Sequence, residues 1–354
     1  YQTYSVEYYH NPNEKEKVVF REFLNKQGLT YEEDVELTIK IIDPLGEMVA
    51  TGSIAGKVLK CIAVDPKKRG EGLSAKVLSE LVKEQFKRGR NHLFVFTSPQ
   101  NLEETSGNVF AGFQVVAKTD EIVLLEMGSK SIDDYLKQLK SQTLEIRKKY
   151  PPPIGSIVVN CNPFTLGHQY LIETAAKECN FIYVFVVMED RSLFPTKVRE
   201  KLVKAGTQHL ENVLVLPGED YIISPATFPR YFMKDFNDIV LAQARLDITI
   251  FAEYIAPALG ITRRYVGEEP YCDVTSAYNQ AMREILQPKG VDLEIVERKE
   301  LKGRAISAST VRSLIKKGKM EEVKKLVPET TYQFLRSKEA QPIIEEIKHS
   351  NSRH

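Results

Sequence analysis

The first third of the chain alternates between short apolar segments and clusters of Gly, Pro and charged residues. Two segments, Val18–Leu24 and Ser74–Phe86, instead carry apolar residues three and four positions apart, as an amphipathic helix does. The short apolar segments have the length and composition of strands. The predicted strands are Val35–Ile42, Met48–Ile54, Val58–Val64, His92–Phe96 and Ile122–Glu126. This pattern predicts an α+β domain with an antiparallel sheet.

Farther along the chain, strand-like and helix-like segments alternate regularly. Helices are predicted at Gly167–Cys179 and around Thr196–Leu210. Strands are predicted at Ile157–Val159, Phe181–Val187, Val213–Leu216, Ile248–Phe251, Arg264–Val266 and Leu293–Val296. Such alternation is typical of a parallel, doubly wound sheet, so we expect an α/β fold with its ligand site at the carboxyl ends of the strands.

A polar segment separates the two patterns. The residues Ile132 to Lys149 read as a helix, and Pro151, Pro152 and Pro153 stop it because proline cannot continue a helix or pair in a sheet. We therefore predict a first domain at residues 1–130 and a linker at 131–153. A second domain is predicted at residues 154–345, with a disordered tail at 346–354.

Composition narrows the class of protein. The 354 residues exceed the roughly 150 of one typical domain. The 49 basic and 48 acidic residues nearly cancel, which argues against binding to nucleic acid or a membrane through bulk charge. The four cysteines, with no CxxC pair, favour neither a zinc site nor a disulfide framework. With no apolar stretch of membrane-spanning length, we expect a cytoplasmic protein without a protein-bound metal.

A candidate phosphate site follows the first strand of the second domain, in the segment from Asn160 to His168. Gly167 allows close approach to the backbone, free N–H groups gather where the next helix begins, and His168 can donate to an oxyanion. The pattern Thr-x-Gly-His would be weak evidence alone. Its position between a buried strand and a helix strengthens it.

A second candidate segment, from Ile306 to Arg312, opens a helix with Ser307, Ser309 and Thr310 in its first turn. An ordinary helix cap would account for one hydroxyl. Three hydroxyls and an arginine suit a triphosphate better, because charge-assisted hydrogen bonds to phosphate are strong.

Together these segments resemble the nucleotidyltransferase superfamily with an HxGH motif and a later ISSTxxR-like motif, in the branch with Thr at the first position. The resemblance implies that Thr165 and His168 contact the α- and β-phosphates of ATP during in-line attack. It implies that Asn162, Phe164, Gly167 and Lys197 contribute to ATP binding. It places Ser307, Ser309, Thr310 and Arg312 on the pyrophosphate.

Two further assignments in the second domain stay open. Arg199, like Lys197, is either a phosphate or acceptor contact or part of a solvated helix face. The turn Gly267-Glu268-Glu269 either contacts adenosine or is only a turn.

The first domain has its own candidate loop, Arg69-Gly70-Glu71-Gly72, between a strand and a helix. Its glycines expose N–H groups that can hold a pyrophosphate, although a plain turn would also use them. With the segment Asn108 to Phe113, the region resembles the GNAT acetyltransferase fold. The resemblance implies that these four loop residues bind a coenzyme A-like arm through their backbone. It assigns no general acid or base.

A GNAT-like α+β domain followed by a Rossmann-like nucleotidyltransferase domain resembles the citrate lyase ligase family over nearly the whole chain. The resemblance implies an acid–thiol ligase that forms a carbon–sulfur bond. Such enzymes use MgATP to convert acetate to acetyl-AMP, then acetylate the thiol of the coenzyme A-derived group on the acyl carrier subunit of citrate lyase. A pantetheine or nicotinamide adenylyltransferase and a GNAT acetyltransferase with a nucleotide-sensing domain remain as alternatives.

Overall fold

The computed structural model describes residues 3–104, 109–189, 191–228, 238–268 and 273–350. The chain divides into two compact units, Tyr1–Tyr135 and Leu136–His354. Among the described residues, no helix is both long and apolar enough to span a membrane.

The first unit is built on a seven-stranded mixed sheet, with helices in the connections. Its strands, in the spatial order β1-β2-β3-β4-β5-β7-β6, are β1 (Ser5–His10), β2 (Leu37–Ile42), β3 (Met48–Ala55), β4 (Val58–Val64), β5 (His92–Thr97), β6 (Gln114–Lys118) and β7 (Val123–Gly128). Its helices are α1 (Glu14–Asn25), α2 (Leu73–Lys87), α3 (Pro99–Glu104) and the start of α4 (Ile132–Gln142).

The prediction of a wholly antiparallel sheet is wrong at one pair of strands. β4 and β5 are parallel, because α2 carries the chain back across the sheet between them. α2 packs closely on β3: a Cβ built on Gly52 would lie 2.5 Å from a methyl group of Val77. The predicted strands and the two predicted helices are otherwise present. β1 and β6 were not predicted, because both alternate irregularly and expose much of their length.

The second unit is a five-stranded parallel sheet between helices. Its strands, in the order β10-β9-β8-β11-β12, are β8 (Ile154–Val159), β9 (Phe181–Val186), β10 (Val213–Pro217), β11 (Arg263–Gly267) and β12 (Asp292–Val296). The helices are α5 (Leu144–Lys149), α6 (Leu166–Glu178), α7 (Thr196–Gly206), α8 (Asp238–Ile250), α9 (Ala256–Leu259), α10 (Asp273–Leu286), α11 (Ala308–Lys316), α12 (Met320–Lys324), α13 (Glu329–Leu335) and α14 (Gln341–His349). A short hairpin, β13 (Glu300–Leu301) and β14 (Arg304–Ala305), precedes α11. The predicted α/β fold class is thus confirmed.

The strand order of this sheet locates the expected ligand site. From β8 the chain proceeds to β9 and β10 on one side, then returns to β11 and β12 on the other. The direction therefore reverses between β8 and β11, and the carboxyl ends of strands beside such a reversal form a crevice. The segment that begins at Asn160 follows β8 directly, at this reversal.

Three details differ from the predicted elements. Ile248–Phe251 is not a strand but the end of α8 and the beginning of a π-helical turn, Phe251–Ile255; an apolar run buried on all sides does not distinguish the two structures. The linker helix is broken at Thr143 into α4 and α5. α14 continues to His349, into the segment predicted to be a disordered tail, because Ile347 is buried in the core.

Candidate active site

The centre of the site is the first turn of α6, where Thr165 and His168 cap the helix reciprocally. The Thr165 hydroxyl accepts from the backbone N–H of His168 at 3.3 Å, and the Thr165 N–H donates to Nδ1 of His168 at 3.0 Å. This capping box positions both side chains where the free N–H groups of α6 converge. The structure therefore brings the two predicted catalytic residues into direct contact.

The same contact decides which nitrogen of His168 carries the proton. A backbone N–H can only donate, so Nδ1 accepts and the proton of the neutral ring is on Nε2. Burial of the ring, with a smaller contribution from the positive charge of Arg298, lowers the pKa of His168 to about 4. At neutral pH His168 thus offers a neutral Nε2–H donor.

The Phe164 ring stacks against the imidazole of His168. It is fully buried, lies 5.9 Å from the imidazole between centroids, and packs so tightly on α7 that a Cβ on Gly206 would overlap it. Because its side chain is enclosed, Phe164 orients His168, and only its backbone is left for the predicted contribution to ATP binding.

The second motif forms the beginning of α11. The Ser307 hydroxyl caps the helix by accepting from the Thr310 N–H at 3.2 Å, and it lies within 3.1 Å of the Ser309 hydroxyl and 2.8 Å of the Thr310 hydroxyl. Ser309 and Thr310 are exposed. The three predicted hydroxyls therefore cluster at one helix N-terminus, where the helix dipole favours an anion.

The two motifs, far apart in the sequence, meet in the structure. Nη1 of Arg312 donates to the backbone carbonyl of Asn162 at 2.5 Å, and burial lowers the pKa of Arg312 without removing its charge at neutral pH. Gly167 lies against Ile306, and the N–H of Leu166 bonds to the carbonyl of Leu326 at 2.9 Å. The N-termini of α6 and α11 consequently border one region.

The remaining predicted residues of this unit differ in exposure. The Asn162 side chain is buried, its Oδ1 accepts from the Phe194 N–H at 2.9 Å, and its Nδ2 has no hydrogen-bond partner among the described residues.

The two basic residues predicted on α7 differ in exposure. Lys197 is exposed in the first turn of α7. Arg199 is fully buried, so neither interpretation from the sequence is correct for its side chain. Glu268 is exposed, and Glu269 lies outside the described residues.

Arg298 is a candidate that the sequence did not single out. It follows β12, near enough for its charge to lower the pKa of His168. A cation just beyond the carboxyl end of a parallel strand is the signal that could have identified it.

In the first unit, the predicted loop joins β4 to α2 through Arg69, Gly70, Glu71 and Gly72. Gly70 and Gly72 have φ values of 86° and 75°, which side chains with a Cβ rarely adopt. Gly72 begins α2 without a side-chain cap among the described residues, so the first N–H groups of α2 remain available. The Glu71 carboxylate accepts from the Tyr4 hydroxyl. Asn108 lies outside the described residues.

Beside this loop, β4 and β5 pair only briefly. Val58 and Leu59 of β4 are in register with Phe94 and Val95 of β5, and the rest of β4 has no partner in β5. The two parallel strands therefore separate toward their carboxyl ends, where the loop begins.

Two other features of the described residues were compared with the predicted site residues: possible metal ligands and surface grooves. The described residues contain no group of three or more His, Cys, Asp or Glu side chains able to hold a metal ion. A groove of about 600 Å³ runs along β10, and its lining includes Lys204, Thr207 and Leu216 but none of the predicted site residues.

This chain resembles known proteins over most of its length. The family model for the citrate lyase ligase C-terminal domain matches residues 154–335. The citrate (pro-3S)-lyase ligase of Klebsiella pneumoniae is 42% identical over 88% of this chain and 90% of its own, and that of Escherichia coli K12 is 37% identical over 91% of each. A structure of Thermotoga maritima TmcAL bound with alpha-thio ATP aligns with 52% of this chain and 55% of its own, at 15% identity and a TM-score of 0.33. The family model and the near full-length relatives show that the chain belongs to the citrate lyase ligase family.

Proposed function

We propose that the protein activates acetate with ATP and then acetylates the coenzyme A-derived thiol on the acyl carrier subunit of citrate lyase. The observation that carries this proposal is the meeting of two helix N-termini, one with His168 and one with Ser307, beside the carboxyl end of β8. In a member of the citrate lyase ligase family, this arrangement suits an ATP triphosphate whose α-phosphorus is attacked by a carboxylate.

In the first step an acetate oxygen attacks the α-phosphorus, the bond to the β-phosphate oxygen breaks, and acetyl-AMP and pyrophosphate form. We assign stabilisation of negative charge on the α- and β-phosphates to Nε2–H of His168, while the Thr165 hydroxyl, in a residue only 1% exposed and 3.0 Å from Nδ1, supports that ring. Ser307, Ser309, Thr310 and Arg312 would hold the pyrophosphate. Lys197 and Arg298 are additional candidate cations for it.

Magnesium would enter as MgATP. With no cluster of acidic ligands among the described residues, the fit favours an ion held by the phosphates rather than by a set of protein carboxylates. Its charge would add to that of Arg312. The N-terminal N–H groups of both helices would bind phosphate oxygens that it leaves free.

In the second step the carrier thiol attacks the acetyl carbonyl carbon, the bond from that carbon to the AMP oxygen breaks, and the thiol proton passes to solvent. We place the phosphate-bearing part of the arm at Arg69, Gly70, Glu71 and Gly72. The uncapped start of α2 and the separation of β4 from β5 support this assignment.

Exchange of labelled pyrophosphate into ATP tests the first step. We expect exchange that requires acetate, and a loss of about 10²–10³-fold in His168→Ala, as for removal of one donor to a developing charge. His168→Gln, which can restore a side-chain N–H donor, should lose less. No acetate-dependent exchange in the wild type would overturn the proposal.

Two further reactions separate the alternatives. Pyrophosphate release with phosphopantetheine or nicotinamide mononucleotide, but not with acetate, would indicate an adenylyltransferase. Turnover of acetyl-CoA without ATP would indicate an acetyltransferase. Transfer of labelled acetate to the purified acyl carrier subunit only when ATP is present is the result that we expect.

A further inference from the structure

Arg199, on α7, has a guanidinium group that is fully enclosed, and its five N–H donors are directed at three separate segments. Nε donates to the Phe194 carbonyl at 2.9 Å. Nη1 and Nη2 donate to the carbonyls of Val187 and Glu189 at 2.6 and 3.1 Å, and Nη2 also reaches the Thr196 hydroxyl at 2.9 Å. The side chain thus joins the segment after β9 to the beginning of α7.

The third segment is the one that begins the phosphate motif. Nη1 of Arg199 also donates to Asn160 twice, to its backbone carbonyl at 3.1 Å and to its side-chain Oδ1 at 3.0 Å. Asn160 is the first residue after β8 and is partly exposed at the carboxyl end of that strand. Arg199 therefore fixes both the backbone and the amide of a residue that borders the proposed nucleotide site.

Fixing Oδ1 also fixes the amide nitrogen. Because an arginine N–H can only donate, the atom it contacts must be the oxygen of the Asn160 amide, and Nδ2 takes the opposite side. One N–H of Nδ2 can reach the Ser192 hydroxyl, 3.3 Å away. The other has no partner among the described residues, so Asn160 retains one oriented donor.

We infer that Asn160 donates its free Nδ2–H to an anionic oxygen of the bound nucleotide and that Arg199 is the positioning residue that holds it there. The inference rests on the proposed function, because it takes ATP as the ligand. Asn160 follows the same strand as the Thr165 and His168 segment, on the edge where that strand ends. A neutral amide suits this position, because it can donate to a phosphate oxygen without adding a positive charge to that of Arg312.

Asn160→Asp separates donation from positioning. Aspartate retains an oxygen acceptor for Arg199 but replaces the free donor with a negatively charged acceptor. We expect ATP to bind at least 10-fold more weakly by calorimetry and pyrophosphate exchange to fall about 100-fold. The melting temperature should stay the same or rise, because Arg199 gains a charged partner. An ATP affinity within twofold of the wild type would overturn the inference.

Arg199→Lys tests the positioning role in a double-mutant cycle. Lysine keeps the charge but cannot make all the contacts, so we expect exchange and ATP affinity to fall about 10-fold in the wild-type background. In the Asn160→Asp background the same substitution should change them less than twofold, because the donor it positions is gone. An equal effect in both backgrounds would show that Arg199 has only a structural role, and it would overturn the inference that Arg199 positions Asn160.

Two controls complete the experiment. Should Arg199→Lys fail to fold, Thr196→Val removes one of its acceptors and should show a smaller loss with the same dependence on Asn160. Lys201→Met, on the exposed face of α7, should leave both measurements unchanged. ATP affinity does not depend on the acyl acceptor, so failure of acetate-dependent exchange in the wild type would reject the proposed function while this test still stands.

Discussion

Gly167 lies directly against Ile306: a Cβ built on Gly167 would be 3.0 Å from the Ile306 carbonyl oxygen and 3.4 Å from the Thr165 hydroxyl oxygen. The glycine of the first motif therefore sets the distance between the N-termini of α6 and α11. A side chain at this position would separate the groups proposed for the α-phosphate from those proposed for the pyrophosphate.

Gly167→Ala should accordingly impair nucleotide binding more than folding. The shift needed is a few tenths of an ångström, and alanine favours the helix by about 1 kcal/mol over glycine, which offsets the strain. We expect ATP affinity to fall about 10-fold with a melting temperature close to that of the wild type. Gly167→Val should be worse in both measurements. Unaltered affinity in Gly167→Ala would contradict the role of this close approach.

The pKa of His168 predicts how stability depends on pH. Its folded-state pKa of about 4 lies below the ordinary value of 6.5, so between these values the unfolded chain binds a proton that the folded chain does not. Unfolding is therefore favoured as the pH falls from about 6.5 to 4. Above 6.5 this contribution is constant.

Two measurements check the behaviour of His168. Nitrogen NMR should show the neutral Nε2–H form at pH 6, and the free energy of unfolding of the wild type should fall more steeply than that of His168→Gln from pH 6.5 to 4. Parallel curves for the two proteins, or a titration near 6.5, would show that the ring is not desolvated. Saturating ATP should raise the pKa, because phosphate charge favours the imidazolium.

Gly72→Val should impair carrier acetylation and spare adenylate formation. Gly72 has a φ of 75°, and valine is strained there, so the loop before α2 must change its backbone. Gly89→Val is a matched control, because Gly89 has a φ of 77° and no atom within 4 Å of a Cβ, as at Gly72. We expect a transfer rate at least 10-fold lower in Gly72→Val only, with pyrophosphate exchange retained in both. Equal losses of transfer and exchange in Gly72→Val would contradict a division of labour between the units.

Cys161→Ala should retain activity. The thiol lies next to the phosphate motif but is 1% exposed, and burial raises its pKa far above neutrality, so it is neither accessible nor a thiolate. We expect exchange within twofold of the wild type, a stability loss of about 1 kcal/mol, and no labelling of native Cys161 by iodoacetamide. Labelled acetate recovered on this cysteine would instead indicate a covalent acyl intermediate.

The sequence predicted elements best where apolar residues recur with a clear period. α2 and α6 were placed within about two residues, since each alternates between a buried and an exposed face. The half-exposed edge strand β1 lacks such a contrast, and the end of α8 is apolar on every side. Local pattern cannot resolve either case, because the deciding contacts come from distant segments.

The sequence likewise identified only some residues of the candidate site. Thr165, His168 and Ser307 could be singled out because each lies in a short motif at the predicted beginning of a helix. The role of Arg199 could not be identified, since six acceptors in three segments determine it and none is marked by residue type. Arg298 could have been noted as a cation just after a predicted parallel strand, but its position near β8 follows only from the strand order, in which β12 lies beside β11 and β11 beside β8.

The bond from Arg312 to Asn162 joins residues 150 positions apart. During synthesis, a ribosome that has completed α6 has made Thr165 and His168 but not the helix that faces them. At roughly 5–20 residues per second, many seconds pass before α11 emerges. Chains interrupted before that point would carry the histidine motif without the helix that we propose for the pyrophosphate, so we expect them not to consume ATP.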